Sequence, residues 1–473
     1  GSRMREYSFF PRLALVNLTR NRRFYGPYLV SCGGTVGMYY VLRFLAGTET
    51  LASVRGAAYL QSMMSIGCAV VGIFAAVILL YANSFVMKRR HRELGLYHVL
   101  GLEKRHLAWV MLWETLYCAL AALGLGLVAG GVLSYLVPPL LLGMIRFPME
   151  FTVHLSGRAM WETVQLFIIL FGLTLLANFA RLHRSRPVEL LRSAQTGERE
   201  PKTKRLLALV GLVTLAGGYG LAVTIQDPVE AMVWFFGAVL LVMVGTYCIF
   251  TAGSIALLKA LRANHNFYYQ TRHFTAVSGM LYRMKQNAAG LSNICILSTM
   301  VLVTVSTTAC LYFGLEQMAA QRAAENALST AEAAEMLQEY AVMYGGFLFL
   351  GLFLGAVFLL ATVLIIYYKQ LSEGYEDRDR YRIMQQVGMT PEEVRGSIRS
   401  QILLVFFLPL GMAGLHLLAA SPMLCRMLEL FGLQNAPLFA ACAGGTLAVF
   451  CIVYALVFIL TARTYNRVVR ETE

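Results

Sequence analysis

The chain has 473 residues, 58% of them hydrophobic and 14% charged, with a mean hydropathy of +0.61. Soluble domains carry about 25% charged residues, so this composition excludes a globular enzyme with one membrane anchor and predicts an all-α polytopic membrane protein. A formal net charge of +14 would suggest nucleic acid in a soluble protein; here it belongs to the Lys and Arg that collect in cytoplasmic loops, and no nucleic-acid partner is expected.

In chain order, Gly1-Ser2-Arg3 ahead of Met4 reads as an expression remnant, and no cleaved signal peptide is expected. Residues 8–23 form an amphipathic interfacial helix, with Phe9, Phe10, Leu13, Leu15, Val16 and Leu18 set against Arg12, Arg20, Arg22 and Arg23. Ten apolar spans follow, at 26–46, 58–87, 107–137, 160–180, 206–224, 230–258, 291–313, 341–368, 398–420 and 438–462. Each is long enough to cross a hydrocarbon core of ~30 Å. The third span is predicted to stop at Pro138-Pro139. Phe274 to Asn287 repeats the interfacial pattern, with Leu281-Tyr282-Arg283-Met284-Lys285-Gln286-Asn287 resembling the run from Leu18 to Arg23. The outer segment 315–340 is rich in Ala and Glu and reads as helical. Residues 197–204 are polar and linker-like. The expected organisation is a first membrane unit at 1–205, connecting spans at 206–258 and a second membrane unit at 259–473.

With both termini inside, 34 of the 40 Lys and Arg fall on the cytoplasmic side, which supports an even number of spans. Only Arg43, Arg55, Arg146, Arg158, Arg322 and Arg426 fall outside. Trp109 and Trp113 near the inner surface, with Trp161 and Trp234 near the outer, match aromatic belts. The nine cysteines show neither CxxC nor zinc spacing and read as packing residues.

The most informative stretch joins the second and third spans. After Lys88, Arg89, Arg90 and Arg92 comes an amphipathic segment, Glu93-Leu94-Gly95-Leu96-Tyr97-His98-Val99-Leu100-Gly101-Leu102, then Lys104-Arg105-His106. Leu94, Leu96, Tyr97 and Leu100 fall roughly on one helical face. Late in the chain the plan recurs: a charged run, Glu373 to Arg382, precedes Ile383-Met384-Gln385-Gln386-Val387-Gly388-Met389. Superposing Gly101 on Gly388 aligns Leu96 with Ile383, Leu100 with Val387 and Leu102 with Met389. Two matched inner loops imply a duplicated membrane unit with two soluble contacts.

Chemistry inside the spans is sparse. There is no phosphate loop of the GxxxxGK[ST] kind, no HExxH and no GxSxG, so no enzyme activity, cofactor or metal is assigned to this chain. Gly124, Gly126, Gly130 and Gly131 in the third span are read as close-packing positions. Glu114 is the acid inside a span, and an intramembrane acid is a functional candidate. Its counterpart in the repeat is Gln401, which favours an interhelical polar contact over a duplicated proton relay. Arg43 is expected to snorkel to the interface or meet an anionic head group.

These residues carry a resemblance. The interfacial helix, the pair of spans joined through Lys88 to Gly101, the turn Arg186-Pro187-Val188-Glu189-Leu190-Leu191 and the run Ile365 to Tyr375 resemble the FtsX/MacB-type ABC permease superfamily, and within it the bacitracin-resistance (Bce-type) permeases of Gram-positive bacteria. The resemblance implies a multi-pass protein of the bacterial plasma membrane, docked on a separate cytosolic ATPase dimer that binds ATP and Mg. It also implies action on antimicrobial peptides bound to cell-wall lipid precursors, often with a sensor histidine kinase as partner. The segments holding Glu93, Leu96, Tyr97, Leu100, Gly101 and Leu102, and Ile383, Met384, Val387, Gly388 and Met389, then become coupling helices for a mechanotransmission mechanism. Bce-type permeases carry a large extracellular domain between the seventh and eighth spans, where this chain has only 315–340. A sensory membrane module and a secondary transporter remain alternative readings.

Overall fold

The computed structural model describes residues 2–148, 154–184, 204–264, 271–386, 388 and 390–470, some of them by backbone alone. Every regular element among them is helical. The helices are α1 (Ser2–Arg20), α2 (Arg22–Gly47), α3 (Glu49–Ala52), α4 (Ala57–Val99), α5 (Lys104–Met144), α6 (Gly157–Arg184), α7 (Arg205–Thr224) and α8 (Pro228–Cys248). A π-helical turn at Ile249–Gly253 leads into α9 (Ser254–Ala263), followed by α10 (Thr271–Phe313), α11 (Leu315–Glu325), α12 (Thr330–Gln386), α13 (Pro391–Glu429) and α14 (Ala436–Arg470). Among the described residues, ten helices are long and apolar enough to cross a membrane.

All ten expected spans are present, and several are longer than the apolar runs. The 43 residues of α4 reach about 65 Å and the 57 of α12 about 85 Å at 1.5 Å per residue. Both exceed the hydrocarbon thickness at least twofold, so their ends project into water. The segments predicted as short loop helices are accordingly the last turns of α4 and α12. Lys, Arg, Glu and Leu between Met87 and Val99 are good helix formers, and nothing there breaks the chain until Gly101. The second interfacial stretch likewise runs without a break into the seventh span as α10. Only the first is separate: α1 ends at Arg20 and α2 begins at Arg22, with Asn21 at φ −96, ψ 27.

Pro138 and Pro139 do not end the third span, because α5 continues through both to Met144. A proline's fixed φ suits a helix, and what it forfeits is one backbone bond. The outer segment is helical as expected, in two pieces. Its turn passes through Ala327 at φ +48 and closes on Ser329, whose Oγ donates to Glu332 at 2.7 Å. The stretch 197–203 and the turn Arg186 to Leu191 lie outside the described residues.

The chain packs as two compact units, Gly1–Glu198 with Gln338–Leu364, and Arg199–Leu337 with Ile365–Glu473. In the first, α2 and α5 approach backbone to backbone through glycine. A Cβ on Gly126 would meet Val36 Cβ at 2.3 Å and the Gly33 carbonyl at 2.7 Å, and one on Gly130 would lie 3.1 Å from the Gly37 carbonyl. Small residues permit this contact, which association within lipid requires because apolar burial gives no driving force there. Of the four glycines predicted to pack closely, Gly126 and Gly130 do so; Gly124 meets nothing within 4 Å, and Gly131 has only Leu155 at 3.7 Å. Asn83 and Asn178 exchange reciprocal amide hydrogen bonds of 2.7 and 3.0 Å between α4 and α6.

In the second unit, α13 is tied to α7 and α8 by buried His416. Thr246 Oγ1 donates to the Val242 carbonyl at 2.6 Å, so it accepts from His416 Nε2 at 2.8 Å. His416 Nδ1 then accepts from the Tyr219 hydroxyl at 2.6 Å. The neighbours therefore select the neutral imidazole protonated on Nε2. A Gly126→Val variant should melt at least 5 °C lower than wild type in detergent, followed by fluorescence-detected gel filtration. Gly124→Ala should leave the melting temperature unchanged or raise it, since it removes a helix-weakening glycine without a clash.

Candidate functional site: two polar junctions at the helix ends

Arg90 lies on α4, two turns before the end of that helix, and is 2% exposed. An unpaired guanidinium at such burial would be prohibitively costly. Its Nη1 meets Glu114 Oε2 of α5 and donates to the Tyr25 hydroxyl of α2 at 2.8 Å; its Nε is 3.4 Å from Glu93 Oε2. Glu114, itself 3% exposed, also accepts from Asn17 Nδ2 of α1 at 3.0 Å. Asn17 Oδ1 in turn accepts from the Tyr97 hydroxyl at 3.0 Å. Asn21, at the break between α1 and α2, donates to Glu93 Oε2 at 3.3 Å. The junction thus joins the interfacial helix, the first span and the inner ends of the next two.

The second unit builds a matching junction with its charges exchanged. The cation, Arg283, comes from the interfacial part of α10, and the acids Asp377 and Glu373 come from α12. Arg283 Nη2 donates to both Asp377 oxygens at 2.7 Å, Nη1 lies 3.2 Å from Glu373 Oε2, and Nε donates to Gln401 Oε1 of α13 at 3.0 Å. Tyr465 of α14 donates to Asp377 Oδ2 at 2.9 Å, and Asn287 to Glu373 Oε1 at 2.8 Å. Lys369 Nζ sits 4.8 Å from the centre of the Phe406 ring and 3.9 Å from Glu373 Oε1. Burial by itself disfavours the charged form of Arg283, but Glu373 and Asp377 outweigh it and hold the guanidinium charged beyond its usual range.

Beyond the first junction the end of α4 is apolar and exposed, and beyond the second Ile383 is exposed on α12. Leu96 is 52%, Val99 63% and Leu100 71% exposed, and Ile383 is 57% exposed. Each helix is followed by a glycine in the left-handed region, Gly101 at φ +99 and Gly388 at φ +101, where a Cβ would be strained. Leu94 and Tyr97 turn the other way. Leu94 packs with Met87, Leu107, Met111 and Leu182, and Tyr97 and Leu102 cover that cluster.

A family model, FtsX-like permease C-terminal, matches residues 65–187 and again 352–469. The chain belongs to the FtsX-like permease family. The two matches start at 65 and 352, the same interval that separates Gly101 from Gly388, so the superposition of the two loops is the repeat of this FtsX-like unit. Among curated proteins the chain is similar to the bacitracin export permease protein BceB of Bacillus subtilis (strain 168), 27% identical over 66% of this chain and 50% of that protein. It is also similar to an uncharacterized ABC transporter permease, YvcS, of the same organism, 26% identical over 65% and 48%. BceB of Halalkalibacterium halodurans is 24% identical over 65% and 49%. The two BceB proteins are named bacitracin export permeases, the group that the sequence resembles. The chain spans about half the length of the curated relatives it matches.

Within this FtsX-like frame the site residues separate by role. Leu96, Leu100 and Ile383 are at the exposed tips, with Gly101 and Gly388 as their terminators. Glu93, Tyr97 and Leu102 face inward, Glu93 and Tyr97 into the junction and Leu102 onto the apolar cluster. Val387 and Met389, and the side chain of Met384, lie outside the described residues. Glu114 and Gln401 are interhelical polar contacts at equivalent positions, as the sequence favours. Arg43 Nε bonds Glu162 of α6, which also takes Arg158 at 3.0 Å.

Sequence reasoning missed the acids Glu162, Glu373 and Asp377. The last two were read as the start of a hydrated charged run, yet both are 1% exposed. Their signal was the i, i+4 spacing of Lys369, Glu373 and Asp377, which sets all three on one face of a helix. Glu114→Leu should cost about 3–5 kcal/mol by stranding Arg90, read as lost thermal stability in detergent. Leu96→Asp, at an exposed tip, should stay within about 0.5 kcal/mol of wild type.

Proposed function

We propose that this permease receives work from a separate cytosolic ATPase dimer through the exposed ends of α4 and α12, and passes it mechanically to the outer face. The observation that carries this reading is the pair of apolar tips. Leu96, Val99 and Leu100 at one, and Ile383 at the other, sit beyond spans whose length takes them out of the hydrocarbon, at repeat-equivalent positions. Exposed apolar side chains on a charged, water-facing helix end mark a protein contact. Such a pair of grips on a duplicated unit suits a two-fold dimeric motor.

In this reading both termini are cytoplasmic, as the Lys and Arg distribution supports, and the protein sits in a bacterial cell membrane. ATP and Mg are bound by the partner. The material handled is an antimicrobial peptide, alone or in complex with a cell-wall lipid; the name bacitracin export permease borne by two relatives supports the peptide. A sensor histidine kinase is a further partner of this assembly. The mechanism is mechanotransmission: closure of the motor presses on the two tips, and the long helices α4, α5, α12 and α13 carry that displacement outward. Two buried sets of polar groups in the described spans are bonded across helices, Asn83–Asn178 and Tyr219–His416–Thr246, and such cross-links favour rigid helices.

Leu96→Asp with Leu100→Asp should abolish co-purification of the ATPase from native membranes and permease-stimulated ATP turnover, with folding intact. Met384→Asp with Val387→Asp should do the same at the other grip. Wild-type capture and turnover in both double variants would remove the basis for this reading.

A further inference from the structure

The two junctions stand at the same distance from their tips. Arg90 is six residues before Leu96 and Asp377 six before Ile383, about 9 Å along each helix. At both, the buried charge on the projecting helix is paired across to an interfacial element and to the following span. On α4 the charge is positive and its partner Glu114 is bonded by Asn17 of α1; on α12 it is negative and its partner is Arg283 of α10, which also bonds Gln401. The polarity is reversed while the three-way connection is kept.

Packing alone does not require this arrangement. A buried ion pair is weak evidence for stability, because apolar residues of similar volume often serve as well, but it fixes one geometry where apolar contacts slide. A long helix end pushed at its tip will bend or rotate unless something clamps it near the load. Here the clamps lie within the last turns of each long helix, between its packed span and its exposed tip. They are also bidentate or multiply bonded, as in Arg283 with both oxygens of Asp377, which resists rotation about the helix axis.

Building on the motor-coupling reading, we propose that Arg90–Glu114 with Asn17, and Arg283–Asp377 with Gln401, are positioning residues. Each clamps a docking tip to its interfacial helix and following span, so that a push at the tip moves the whole bundle end. They touch neither the ATPase nor any substrate. Reversed polarity also makes each clamp specific to its own unit. Arg283 in the place of Asn17 would face Arg90, and Asn17 in the place of Arg283 would leave Asp377 without a cation and Glu373 with Lys369 alone.

The test uses the full chain in nanodiscs with its ATPase, and non-cysteine spin labels at exposed Tyr59 and Leu430, the ends remote from the tips. The interspin distance is compared without nucleotide and in the ATP–vanadate state. Glu114→Gln copies the side chain present at the equivalent Gln401, and Asp377→Asn removes the charge with little change of shape. Each should capture ATPase and hydrolyse ATP at no less than half the wild-type level, while the vanadate-induced distance change falls at least twofold. The charge-keeping Glu114→Asp and Asp377→Glu should restore most of it. An undiminished distance change in both amides overturns the clamp. So does an equal loss in amide and acid variants that tracks melting temperature, since that marks a fold-stabilising pair only. Wild type that captures no ATPase overturns the coupling reading, and the clamp falls with it.

Discussion

A charged guanidinium buried in a helical bundle is costly without acceptors, and this protein buries one at the polar junction of each unit. Arg90 and Arg283 are each 2% exposed, and everything around them is arranged to hold their charge. Glu114 and Tyr25 close on one, and Asp377, Glu373 and Gln401 on the other. Because these partners come from different helices, satisfying one cation forces several elements to converge. Asn21, at the break between α1 and α2, and Tyr97 extend the first of these networks through Glu93 and Asn17.

The apolar part of the fold answers to a different rule. Within lipid, helices gain little from hiding apolar surface, so they adhere where small residues let backbones meet. The contact of Gly33 and Gly37 with Gly126 and Gly130 in the first unit is of this kind. The second unit adds hydrogen-bonded cross-links, with His416 held between Tyr219 and Thr246. Glycine contact and polar cross-link both leave the helices stiff, and stiffness is what a permease needs if it is to carry a mechanical displacement from tip to outer face.

The FtsX-like unit occurs in two stretches of this chain. Here the repeat keeps the shape and reverses the electrostatics. Arg90 and Asp377 occupy corresponding places, as do Glu114 and Gln401, so the two units share a connection between three helices and not a particular sign of charge. Two junctions of opposite polarity also keep each interfacial segment from engaging the wrong unit, a hazard for any chain that contains the same motif twice.

The sequence by itself determined the membrane class, the ten spans, the helical outer segment and the paired inner loops. Hydropathy, charge asymmetry and the spacing of Gly101 and Gly388 are local properties that survive without coordinates. It also marked Glu114 and Gln401 as equivalent polar contacts. Only the tertiary structure decided what those contacts join. Arg90 looked like one member of a basic loop, and Glu373 and Asp377 like the start of a hydrated charged run, because a charged residue beside a span reads as exposed until its neighbours are known. Burial is a property of what lies across the helix, from residues about a hundred positions away, as with Asn17 and Glu114 or Arg283 and Asp377. The same reason separated Leu94 and Tyr97 from Leu96 and Leu100: periodicity grouped them on one face, and the cluster around Met111 drew the first pair inward and left the second in water.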